Sequence, residues 1–169
     1  MHLLSRRHFL LGVSATALLS AAVAIPQLGS YPTTTLDINT LSDREVHIYQ
    51  ILGDWLLPSG GGLPGSGGDD TTIMRIDALL THLPPDQRQL LKALPLVFEH
   101  GTALNRFAQA RMSSLSTKER ETYLRSWTES TNLISAQLVA ALRTIYALSY
   151  FERIDVQKSM YVPPSCVPS

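Results

Sequence analysis

Apolar residues recur every three to four positions through most of the chain, and no useful run alternates, so helices are predicted and strands are not. Ser42-Asp43-Arg44-Glu45 reads as a capping box, with the Ser42 hydroxyl and the Glu45 carboxylate each serving the other's amide. It opens a helix carrying Val46, Tyr49, Ile51, Leu52, Trp55 and Leu56, which Pro58 stops. A second helix is expected over 72–83, with Ile73, Ile76, Leu79, Leu80 and Leu83 on one face. Pro84-Pro85-Asp86 breaks it and starts a third, lined by Leu90, Leu91, Leu94, Val97 and Phe98. Pro95 predicts a kink there and Gly101 its weakening or end, the pattern resuming through Leu104, Phe107 and Ala108. Ser116-Thr117-Lys118-Glu119 is a second capping box, before Tyr123, Leu124 and Trp127.

The last helix, expected over 131–151, is the most apolar. Leu133, Ile134, Leu138, Val139, Leu142, Ile145, Tyr146 and Ser149 make a wide stripe, with Ala140, Ala141 and Ala147 beside it. Arg143 is its one charge before Glu152. A helix apolar over most of its girth belongs at a bundle centre or under a partner. The expected fold is all-α: an irregular bundle of about five helices, preceded by a signal helix and followed by an extended Pro-rich tail.

The N-terminus is patterned differently. Between His8 and Leu36 there is no Asp, Glu, Lys or Arg, and Arg6-Arg7 stand just before. An apolar run from Phe9 to Ala24 ends in Ala22-Val23-Ala24, a small-residue cleavage site after Ala24. The run Ser5-Arg6-Arg7-His8-Phe9-Leu10 resembles the twin-arginine export signal, departing from it at Leu11. Gly12, Ser14, Thr16 and Ser20 dilute the apolar core, as in signals of that type. The alternative is a retained anchor, since Phe9 to Ile25 is near the minimum span of a bilayer. The organisation expected is therefore a signal peptide over 1–24, a linker over 25–40 and a helical domain over 41–169.

Composition narrows the function. The 169 residues hold 14 Lys+Arg and 14 Asp+Glu, and loss of the leader removes two arginines and no acid, leaving −2. That balance argues against nucleic-acid binding. One cysteine excludes an internal disulfide framework or an iron–sulfur cluster held by this chain alone. Residues 60–70 hold six glycines but no Gly-Lys-Ser/Thr, so a mobile loop is expected rather than a phosphate cradle. His47, His82 and His100 are too scattered for a metal site, and each is expected at or near the surface. Asp69, Asp70 and Asp77 lack calcium-loop spacing and are expected to be solvated. Asp54-Trp55 and Glu99-His100 match no known chemistry. Cys166 lies among prolines with no nearby base, so an inert tail residue is expected, with a contact or a disulfide to a partner as the alternative, rather than catalysis. Nothing assembles a nucleophile, a base and an orienting group, and no catalytic, cofactor or metal residue is assigned. Trp55, Trp127, Tyr146, Tyr150, Phe151, Tyr161 and Cys166 are the candidate partner interface, because Trp and Tyr anchor interfaces, although core is the ordinary place for such aromatics.

Several stretches resemble the gluconate 2-dehydrogenase subunit 3 family, small helical companions of flavin-dependent dehydrogenases of the glucose–methanol–choline type. They are Leu41-Ser42-Asp43-Arg44-Glu45, Gly53-Asp54-Trp55-Leu56-Leu57-Pro58 with the glycines after it, Leu115-Ser116-Thr117-Lys118-Glu119-Arg120, and Leu142 to Tyr150 with the tail Tyr161-Val162-Pro163-Pro164-Ser165-Cys166. Ser149-Tyr150-Phe151-Glu152-Arg153 departs from the family's pattern after the last helix. The resemblance implies a non-catalytic subunit without a cofactor of its own. It would bind a large FAD-containing dehydrogenase of sugars, sugar acids or alcohols and carry it, folded, through the twin-arginine translocon. The destination would be the periplasm or the periplasmic face of the inner membrane, with a cytochrome c subunit as a further partner. A stand-alone periplasmic helical binding protein and a membrane-anchored scaffold are the other readings open to the sequence.

Overall fold

The computed structural model describes residues 31–60, 62–104 and 110–160. The residues read as the export signal (Ser5, Arg6, Arg7, Phe9, Leu10), its cleavage site (Ala22, Ala24), the resumed helix (Phe107, Ala108) and part of the interface (Tyr161, Cys166) lie outside them. Among the described residues six α-helices follow one another: α1 Asp43–Leu56, α2 Asp70–His82, α3 Pro85–Leu104, α4 Thr117–Glu129, α5 Leu133–Phe151 and α6 Ile154–Met160. A 3-10 turn, Met112–Ser114, precedes α4, and the described residues contain no strand. The fold is the expected all-α bundle, with α6 an addition that the sequence pattern did not suggest.

Both capping boxes form. Ser42 Oγ accepts from the Glu45 amide while Glu45 accepts from the Ser42 amide at 2.7 Å, and Ser116 and Glu119 repeat the arrangement. Asp69 caps α2 by accepting from the Thr72 amide at 3.0 Å, so this helix begins two residues before the expected start.

The centre of the bundle is α3. Every residue from Ala93 to Glu99 is buried, two full turns with no solvent face. Against it pack α1, α2 and the 3-10 turn, while α5 lies across α2 and α4. The helix runs through both Pro95, where a kink was expected, and Gly101, where weakening or an end was expected, and it does not end at Gly101. Pro95 has no N–H for the Leu91 carbonyl one turn back. The Tyr49 hydroxyl from α1 fills that place, donating to Leu91 O at 2.7 Å. At Gly101 a Cβ would stand 2.6 Å from Tyr123 Oη and 2.7 Å from Trp127 Cζ2, so this glycine is the notch that lets α4 approach.

Tyrosines tie the elements together. Tyr123 Oη donates to Phe98 O at 2.8 Å, Tyr146 Oη to Tyr49 O, and Tyr150 Oη to Pro64 O at 3.0 Å. Burial pushes the phenols of Tyr49, Tyr123 and Tyr146 far up, so they remain neutral donors throughout the physiological range.

The glycine segment was expected to be a mobile loop; over residues 62–69 it is instead bonded at several points. Gly67 N donates to Leu57 O at 2.8 Å, and Ser66 Oγ to Asp54 at 2.6 Å. Gly53, Gly67 and Gly68 press together where a Cβ on Gly53 would lie 2.3 Å from Gly67 backbone. Arg153, at the α5–α6 junction and only 5% exposed, closes the segment by reaching Asp69 at 2.5 Å, Thr72 at 3.0 Å and Asp155 at 2.7 Å. Burial pushes the Asp69 carboxyl up, but the hydrogen bonds from Arg153 and Thr72 outweigh it and hold it below its ordinary value.

Asp77, expected in solvent, is 4% exposed. Its carboxylate accepts from the amides of Asn39, Thr40 and Leu41 at 2.8 to 2.9 Å. It thereby fixes the approach to α1, and the described part of the linker packs Tyr31, Leu36 and Ile38 against the core.

Candidate functional site

The C-terminal turn of α1, the C-terminal half of α4 and the C-terminal half of α5 enclose an open groove of about 440 Å³. Trp55 and Leu56 of α1 and Ala147, Phe151 and the buried Tyr146 of α5 are among the residues that line it. Trp55 also borders a second cleft of about 410 Å³ with Ile51 and Leu124, and so stands as a ridge between the two. Arg125 and Arg143 supply the charge of the first groove, whose lining contains no carboxylate. Arg125 pairs with Glu121 at 2.6 Å, both well exposed, and Arg143 has no ion pair among the described residues.

The groove continues along the outer face of α5. Leu133, Leu148 and Phe151 are 60%, 50% and 38% exposed, and Ala136, Ala140 and Ala147 lie open beside them. The apolar girth of α5 therefore divides in two. Val139, Leu142, Ile145 and Tyr146 face the bundle, and the other side faces outward. This is the one described helix long and apolar enough to cross a membrane, with 33% of its window buried, and it packs across α2 and α4 in the bundle.

The candidate interface aromatics separate accordingly. Trp55 and Phe151 line the groove, as does the buried Tyr146. Trp127 belongs to the core at 8% exposure, its ring 4.8 Å from Phe98, and Tyr150 is buried beneath the Arg153 guanidinium. Arg125 and Arg143, which line the groove, and Leu148, 50% exposed on α5, were not singled out in the sequence. The sequence signal for Arg143 was present, as the lone charge in an apolar helix, whereas Leu148, one turn from the buried Ile145 and yet 50% exposed, carried none.

A second cluster gathers around Glu99, which is fully buried. Its carboxylate accepts from Tyr31 Oη at 2.9 Å, from the Ser113 amide at 3.0 Å and from Ser113 Oγ at 2.5 Å. Arg111 lies over the Tyr31 ring at 4.6 Å. Burial pushes the His47 and His100 imidazoles down, against the attraction of Glu99, so both favour the neutral form. The bonds of this cluster run from the linker and the 3-10 turn to α3, and they hold those segments in place.

Among the described residues no three His, Cys, Asp or Glu side chains gather closely enough to hold a metal ion. No protein-family model matches the chain, and no curated protein or solved structure matches it.

Proposed function

We propose that this chain is the small, non-catalytic subunit of an exported oxidoreductase complex. It binds a large FAD-dependent dehydrogenase of the glucose–methanol–choline type and supplies the export signal for both. The observation that carries this reading is the groove between Trp55 and Phe151, which runs into an outward face of α5 bearing Leu133 and Leu148. A groove lined by Trp55 and Phe151, aromatics of the kind that anchor interfaces, supports a partner-binding role. A leader resembling a folded-cargo signal, Ser5-Arg6-Arg7-His8-Phe9-Leu10, makes a second polypeptide the natural cargo. In this reading the FAD belongs to the partner, the complex works in the periplasm or on the periplasmic face of the inner membrane, and a cytochrome c subunit takes the electrons.

The test is export of both proteins in a cell that makes both. Replacing Arg6 and Arg7 by Lys is expected to strand the flavoprotein in the cytoplasm with the small chain. Normal export of the flavoprotein beside that variant overturns the escort role. A stand-alone periplasmic binding protein is the second reading, supported by a groove volume within the range of small-molecule sites. It requires a chain purified from periplasm as a colourless monomer.

A further inference from the structure

Resting on that subunit reading, we infer that the groove and the outer face of α5 together take one amphipathic helix of the flavoprotein, with a large apolar anchor between Trp55 and Phe151 and carboxylates that meet Arg125 and Arg143. The shape of α5 argues for a helix. Leu133, Gln137, Ala140, Thr144, Ala147 and Phe151 are all exposed and recur at alternating steps of four and three. That spacing forms a straight seam for a second helix crossing at a shallow angle. Small side chains at Ala140, Thr144 and Ala147 allow close approach in the middle, and the seam spans about 28 Å at the rise of an α-helix. At its C-terminal end the seam opens into the groove, where Trp55 and Phe151 stand apart around a space suited to a leucine or an aromatic ring.

The charges argue for acids on the incoming helix. Arg143, exposed beside the seam, has no ion pair among the described residues, and Arg125, whose partner is the exposed Glu121 at 2.6 Å, borders the same groove. No carboxylate lines that groove, so an approaching helix bearing Asp or Glu meets two guanidinium groups at its edge. Carboxylates suit the paired donors of arginine, and a basic helix would be repelled.

The experiment places a photo-crosslinking benzoylphenylalanine at Leu148 or at Phe151 of the full chain, in cells that make the flavoprotein. Leu90, 52% exposed on α3, is the control position. The expected product joins positions 148 and 151, but not 90, to a flavoprotein peptide carrying an apolar anchor and carboxylates. A product with residues 161–169 of the same chain, with a second copy of it, or equally from position 90 overturns the inference. Arg125→Glu with Arg143→Glu is expected to cut the flavin that co-purifies by about tenfold or more, while Arg125→Lys with Arg143→Lys keeps most of it. An unchanged thermal midpoint in both pairs excludes misfolding as the cause. If the wild-type chain recovers flavin and the glutamate pair recovers as much, the groove assignment fails and the subunit reading stands. If the wild-type chain recovers none, both fail.

Discussion

The Tyr49 hydroxyl donates to the Leu91 carbonyl at 2.7 Å, the acceptor that Pro95 leaves without its helical partner. A proline inside a helix normally orphans a carbonyl one turn back, and an orphan in a core costs stability. Here a side chain from α1 supplies the missing donor. Tyr49→Phe is therefore expected to destabilise the protein by about 1–2 kcal/mol. The loss should be smaller in a Pro95→Ala background, where the backbone N–H at position 95 returns. Urea unfolding of the two single variants and the double variant measures that coupling directly.

Gly101 sits inside α3 although helices disfavour glycine. Alanine there would be expected to stabilise an isolated helix by about 1 kcal/mol. In this bundle the added Cβ meets Tyr123 Oη at 2.6 Å and Trp127 Cζ2 at 2.7 Å. Gly101→Ala is thus expected to lower stability by about 1–2 kcal/mol, overpacking outweighing propensity. Thermal unfolding decides the sign.

The Arg153 latch should matter for stability and for pH. Arg153→Met leaves Asp69 without its cation and is expected to cost about 2–3 kcal/mol, whereas Asp155→Asn, on an exposed partner, should cost far less. The folded-state pKa of Asp69 is held below its ordinary 3.8. Its contribution is therefore complete above that value and is lost as pH falls through the lower folded-state value. Acid titration of urea midpoints should show the Arg153→Met penalty shrinking below about pH 4. Hydrogen exchange at the Gly67 amide should quicken in the same variant, since Gly67 N donates to Leu57 O within the segment Arg153 closes.

The histidines give a separate pH dependence of the same sign at higher pH. Burial, with repulsion from Arg111 and from Arg120 or Arg44, places His47 and His100 below the ordinary 6.5, with Glu99 opposing. The unfolded chain therefore binds more protons than the folded one below about pH 6.5, so stability falls as pH drops through that window. Urea midpoints at pH 7.5 and 5.5 should differ in the wild type. The difference should shrink when both histidines are replaced by Gln.

Helix existence was legible in the sequence because caps and periodicity are local. Ser42 and Ser116 each sit three residues before a glutamate, and the chain needs nothing distant to use them. What escaped was set by partners far along the chain. Gly101 reads as a weak point or an end until Trp127 is seen against it, and nothing local announces that Tyr49 serves the carbonyl behind Pro95. The glycines at 65, 67 and 68 read as slack until Arg153 and Gly53 are placed beside them. Asp77 reads as solvated because nothing local announces that the amides of residues 39–41 converge on it. The groove was half legible: Trp55 and Phe151 were candidates, but periodicity alone did not separate the inner side of α5 from the outer.

That division among the aromatics makes the last prediction. Trp127 contacts Phe98 and Tyr123 in the core, so Trp127→Ala should cost about 3–5 kcal/mol. Phe151 is 38% exposed and Leu148 50%, so Phe151→Ser and Leu148→Ser should each stay within about 0.5 kcal/mol of wild type. Trp55 is half-buried between two clefts, and Trp55→Ala should fall between those limits, near about 1 kcal/mol. Thermal and urea unfolding rank the four. If Phe151→Ser proves as damaging as Trp127→Ala, the outer face of α5 is part of this chain's own core. If it leaves the fold intact while recovery of the flavoprotein drops, Phe151 serves the partner and not the bundle.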